Sequence, residues 1–260
     1  MLIILGNQTQ RGLKNMSSEM TKAMPESSVG KARWLRLAIV IVTFLLLFFG
    51  LTTLSAVIGF FGISQRSSQD IIAFYATNAP VLQKALFAAL LGYILSVPVM
   101  AMVTRHYQAA APETRFGDLM LGLLWASLAL RPLWWAAHLV LMPDIVALGA
   151  PGTNPAEIAA FMTAFRMLDT ILNTVTEDIA VNVLGGAWFL LIGREMLRKG
   201  GRMLAVGGIT MLIGALYLLS SSELLGMSFG EGGGIIPVIA SVSGPFWILF
   251  VGGAVALRSR

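Results

Sequence analysis

The 260-residue chain has no cysteine, which excludes disulfides, thiolate metal sites and cysteine nucleophiles. It has only His106 and His138 as histidines, so a three-histidine metal centre is excluded as well. Charge is also scarce: Asp, Glu, Lys and Arg make up 12% of the chain, where soluble domains carry roughly 25%. With 57% hydrophobic residues and a mean hydropathy of +0.79, the chain reads as a polytopic membrane protein. Little after residue 35 is left over for a separate soluble catalytic domain. The formal net charge is +5, yet the basic residues flank apolar runs and form no stripe. They mark orientation in a membrane, and nucleic acid is not expected as a partner.

Residues 1–34 lack sustained periodicity and read as a disordered cytoplasmic tail. Lys31, Arg33 and Arg36 precede the first apolar run, so the first span is expected from about Leu35 to Phe61 with the N-terminus inside. The next segment, SQRSSQDIIAFYATNAP, suggests an outer loop with a short interfacial helix. Further spans follow at about 81–103, bent near Pro98, and at 117–142, which carries Arg131 and Pro132 near its middle. PDIVALGAPGTNP has no Lys or Arg and reads as an outer loop. The last two spans are expected at 203–220 and 235–257, separated by the glycine-rich SSELLGMSFGEGGG. That stretch lacks the strand, lysine and helix start of a phosphate-cradling loop.

Between them lies the stretch on which a functional reading turns. Asn154, Pro155 and Glu157 make a strong helix start: a cap, a proline at the first position and a carboxylate three residues on. A helix from Pro155 to Leu197 would be about 64 Å long at 1.5 Å per residue, against a hydrocarbon core of about 30 Å. It either projects beyond the outer face or breaks near Thr176 to Asp178. The break would leave an amphipathic helix over 155–177 and a span over 179–197. Arg194, Arg198, Lys199 and Arg202 place its end inside. With six spans and both termini inside, only Arg66 and Lys84 lie outside, and Arg131 and Arg166 lie in or near the outer half. Every other Lys and Arg is on the inner side.

At 100° per residue, Arg166, Asp169, Thr170, Asn173 and Glu177 fall within about 100° of arc. Phe161, Phe165, Leu168, Leu172 and Val175 lie opposite. This is either a surface helix with its polar face in water or a polar wall lining a cavity. Arg131 is costly inside a span, by about 2.5–3.5 kcal/mol on insertion scales, so it needs a partner or water. Trp134, Trp135 and His138 share its helical face. Matching depth against the fourth span leads to Asn182, with Asp178 one turn further out, so Asp178 or Glu177 is its expected counter-ion. His138 is expected close to Thr174 or Asn173. The candidate ligand-binding set is therefore Arg131, Trp135, His138, Asn173, Glu177, Asp178 and Asn182.

No HExxH or paired-histidine spacing supports a metal at His138, and no cofactor or catalytic residue is expected. Ser241 to Gly244 departs from the GxSG of intramembrane serine proteases, and no later histidine follows. The run FRMLD…ED…GGAWFLLIGREMLRKGG, leading into GGITMLIGAL, resembles a broad group of bacterial six-span membrane proteins of unknown function. The resemblance covers about Arg36 to Arg260 and implies an all-α transmembrane bundle in a bacterial cytoplasmic membrane, without implying an activity. Three functions stay open on the residues. The first is binding or passage of a small solute or lipid headgroup in an outward-facing polar pocket. The second is an enzyme acting on a lipid-type substrate with Glu177 or Asp178 as acid or base. The third is an accessory subunit whose charges fix packing. The bilayer is the expected partner.

Overall fold

The computed structural model describes residues 26–57, 63, 66–108, 116–222 and 235–258, and among them the chain is almost entirely helical with no strand. In chain order the helices are α1 Glu26–Ala56, α2 Ser68–Gln108, α3 Phe116–Leu130, α4 Pro132–Ala147 and α5 Pro155–Asn173. A π-helical segment, Thr174–Gly185, joins α5 to α6 Gly186–Arg198. Then come α7 Met203–Ser220, α8 Ile235–Trp247, a second π segment Ile248–Gly252, and α9 Gly253–Arg258. Among the described residues five runs are long and apolar enough to cross a membrane, namely Gly30–Ala56, Ser68–Gln108, Gly117–Ala147, Pro155–Arg198 and Met203–Ser220. The apolar helix Val242–Arg258 is shorter.

The surface matches that length. Large apolar side chains such as Phe49, Val140, Met167, Ile171, Leu212 and Phe250 are exposed, an arrangement that costs heavily in water and little in lipid. On α5 the polar Asp169 turns inward while Met167, Leu168 and Ile171 face out, the reverse of a helix on a soluble protein. This is the build of an integral membrane helix bundle.

Several elements differ from the sequence expectation. α1 starts at Glu26, so residues 26–34 of the expected tail are helical; the rest of the tail, and the glycine-rich loop over 223–234, lie outside the described residues. The expected interfacial helix and second span are one helix, Ser68–Gln108, which runs through Pro80 and Pro98. The run from Pro155 to Arg198 does not break in two. It stays continuous by changing its winding, with i→i+5 bonding over Thr174–Gly185. Asn154 caps its start with an extended backbone, its side chain accepting from the Ala156 N–H at 2.9 Å. Its end turns through Gly200 and Gly201, whose φ angles of 66° and 57° lie in the left-handed region that favours glycine.

Among the described residues two apolar cores hold the bundle. One gathers Val40, Val99, Met120, Trp188, Met196 and Val255; the other gathers Leu54, Ile71, Tyr75, Leu82, Trp134 and Phe165. Trp188 and Trp247 are buried in the first, and their ring N–H groups donate to Thr104 and Thr210 at 3.2 and 2.9 Å. α6 and α7 approach closely through Gly186, Gly193, Gly207 and Gly214, the small-residue packing that suits helices in lipid. The basic helix ends gather at the pole of the first core. Leu37 of α1 reaches Gly253 of α9, and the Lys199 ammonium stands 4.2 Å from the Tyr107 ring centroid. Burial, and then nearby Arg258, hold the Lys199 pKa below its ordinary value.

Candidate ligand cavity

Arg131 sits at the junction of α3 and α4. Its own N–H still bonds the Ser127 carbonyl at 3.2 Å, and its backbone is helical. Pro132 then brings no N–H, so the ladder is interrupted just past the arginine. The side chain is 7% exposed. Its Nε donates to Ser127 Oγ at 2.9 Å, and that hydroxyl donates to the Ala180 carbonyl of the π segment at 2.6 Å. The guanidinium is thus tied through Ser127 to the unusual stretch of backbone opposite it. Nη2 is buried and has no hydrogen-bond partner among the described residues. Gly185 makes room for it, because a Cβ at that position would collide with Nη2.

Arg131 lines a cavity of about 560 Å³ between the two cores, within the range of small-molecule sites. Asn173, Thr176, Glu177 and Val181 contribute one wall from the end of α5 and the π segment. α1 supplies Leu47, Phe48, Leu51, Thr52 and Ser55; α2 supplies Tyr93, Ser96 and Met100; α8 and its π segment supply Val242, Gly244, Pro245 and Ile248. The Tyr93 and Tyr217 hydroxyls lie within electrostatic range of both Arg131 and Glu177, and Tyr217 hydrogen-bonds Ser243.

Of the residues expected at a site, Arg131, Trp135, Asn173 and Glu177 line this cavity. Asn182 is buried away from its wall, and Asp178 does not line it either. The guanidinium hydrogen-bonds Ser127 through Nε. His138 lies in an adjoining network instead of beside Asn173 or Thr174. Its ring is 2% exposed, with Nε2 2.9 Å from Asp169 Oδ1 and Nδ1 2.6 Å from the Tyr75 hydroxyl. Trp134 Nε1 donates to the same Asp169 oxygen at 2.8 Å. One assignment of protons serves every donor here. Tyr75 donates to Nδ1, and the Nε2–H and Trp134 Nε1–H both donate to Asp169. Trp134 also lines the cavity, so the network buttresses one of its walls.

Arg166, on the same helical face, donates to the Arg66 carbonyl at 2.7 Å and so ties α5 to the start of α2. Arg166 and Asp169 of the polar arc are therefore drawn into the protein, Thr170 and Asn173 of the same arc are exposed, and Phe165 from the opposite side is buried. Sequence reasoning missed Tyr93, Trp134 and Tyr217 as lining residues, and Tyr75 as the partner of His138. Asp169 was visible only as one member of the polar arc. No family model, curated protein or solved structure matches the chain.

Proposed function

We propose that the cavity binds the anionic group of a small solute or a lipid headgroup, with Arg131 as its principal contact. The single observation that carries the reading is a buried arginine on the wall of a cavity, one of whose guanidinium nitrogens has no acceptor among the described residues. A buried guanidinium is costly without a counter-charge, and an anion entering the cavity would offset that cost with a charge-assisted bond to the arginine. Glu177 on the same wall favours an anionic group that carries a proton or an ammonium beside it, such as a phosphate monoester or a zwitterionic headgroup. The bundle around the site is read as a six-span protein of a bacterial cytoplasmic membrane, in line with the six-span group that its sequence resembles. Both termini would lie inside; the meeting of Leu37 with Gly253 near the basic helix ends supports an even number of crossings. The cavity would then lie toward the outer half.

The test is Arg131→Gln in purified protein, titrated calorimetrically with dodecyl phosphate and with inorganic phosphate. At least one probe is expected to bind at least ten-fold more weakly to the variant, while the helical content stays unchanged. Equal affinities in the two proteins for both probes would overturn the reading. Gly185→Ala is expected to weaken the same probe several-fold with little loss of stability, because only the end of a flexible side chain has to move. Unaltered binding in that variant would show that the position of Nη2 does not matter.

A further inference from the structure

The hydroxyls that line the cavity are spent largely on their own helices. Thr52 donates to the Phe48 carbonyl at 2.6 Å, Ser55 to Leu51 at 2.8 Å, Ser96 to Tyr93 at 2.6 Å and Thr176 to Leu172 at 2.7 Å. A hydrated solute that gives up its water shell needs several converging polar partners. Here the polar capacity is concentrated around Arg131, Glu177, Asn173 and the Tyr93 hydroxyl, and the wall made by α1 and α8 offers hydrocarbon.

That wall also reaches the surface. Phe48 and Val242 line the cavity yet are 40% and 46% exposed. Thr52 and Ser55 line it and are exposed as well, with their hydroxyl protons already bonded to backbone. To one side of this opening the rings of Phe44, Phe48 and Phe246 pack at 5.4 to 5.9 Å and close the seam between α1 and α8. The outer surface nearby carries exposed Leu45, Phe49 and Phe250. A polar solute would have to pass this apolar lip, whereas an alkyl chain matches it.

The geometry points to an amphiphile as the occupant: an anionic headgroup on Arg131 and a hydrocarbon chain leaving sideways between α1 and α8 into the bilayer. This rests on the reading of Arg131 as the anion contact. It adds the class of ligand and the path by which it arrives. Nothing in the chemistry requires bond breaking; the site captures or passes a lipid-type molecule from the membrane.

The experiment compares the wild type, Arg131→Gln and Val242→Trp in phosphatidylcholine nanodiscs, each titrated with dodecyl phosphate and with inorganic phosphate. Comparing one probe across the three proteins cancels its partition into the bilayer. Thr52→Trp, on the other lip, repeats the obstruction in case Val242→Trp does not fold. Dodecyl phosphate is expected to bind the wild type at least ten-fold more tightly than either Arg131→Gln or the obstructed variant, while obstruction leaves inorganic phosphate binding unaltered. The ligand class is overturned if inorganic phosphate binds the wild type as tightly as dodecyl phosphate. The path is overturned if an obstructed protein binds dodecyl phosphate as the wild type does. In both cases a loss on Arg131→Gln leaves the anion site standing. If neither probe distinguishes the wild type from Arg131→Gln, the anion site and the amphiphile fall together.

Discussion

Gly207→Val is expected to destabilise the protein by about 3 kcal/mol, the upper part of the range for overpacking a close contact. A Cβ at Gly207 would stand 2.8 Å from both the Gly193 carbonyl oxygen and the Leu197 nitrogen. Both are backbone atoms of the facing helix, so no side-chain rotation relieves the clash. α6 and α7 must move apart, and the contact is repeated along their length. A Cβ at Gly214 would meet the Gly186 carbonyl at 2.7 Å, and one at Gly193 would meet the Gly207 carbonyl at 2.9 Å. Separating these helices loses dispersion contacts along the seam, which in lipid have no hydrophobic driving force to replace them. The neighbouring Gly208 provides the control. A Cβ there meets nothing within 4 Å, so Gly208→Ala is expected to be neutral or slightly stabilising through helix propensity. Unfolding midpoints of the detergent-solubilised proteins decide the matter. If Gly207→Val and Gly208→Ala unfold together, the seam does not hold the bundle.

Asp169→Ala is expected to cost about 3 kcal/mol, since each buried donor that loses its acceptor costs about 1–3 kcal/mol. His138 Nε2 and Trp134 Nε1 both donate to Asp169 Oδ1, so one substitution removes the acceptor they share. Tyr75 is fully buried and depends on His138 Nδ1 in turn. The loss therefore propagates through three elements, α2, α4 and α5. Because both donors meet a single oxygen, Asp169→Asn retains an acceptor at that point and is expected to recover most of the stability. Unfolding measured across Asp169→Ala, Asp169→Asn and Tyr75→Phe gives the order. An Asn variant as unstable as the Ala variant would mean that the network needs the carboxylate charge and not only an acceptor at that point.

The network also explains why the depth argument from sequence led elsewhere. Counting back from Leu197 assumes a uniform helix along the whole run, and on that basis Asn182 stands level with Arg131, with Asp178 one turn further out. The π segment Thr174–Gly185 winds more widely, so the angular register carried from the α6 end changes before it reaches these residues. Asn173 and Glu177 reach the cavity wall, and Asn182 is buried away from it. His138 was expected beside Asn173 or Thr174, but it meets Asp169, about one turn nearer the start of α5.

What the sequence determines by itself is the apolar helical build, the cap at Asn154 and the singularity of Arg131. These are local properties. Lipid acts on each segment separately, because a backbone without water must bond within its own helix and a charge must find a partner or an interface. Composition and spacing along one segment therefore suffice. The tertiary structure alone decides that Tyr93, Trp134, Tyr217 and Val242 share a cavity with Arg131, that Ser127 holds the guanidinium, and that Tyr75 completes the histidine network. Those residues come from different helices and carry no common spacing. Their meeting depends on how closely glycine lets two backbones approach and on where a helix changes its winding, and both are consequences of packing between segments.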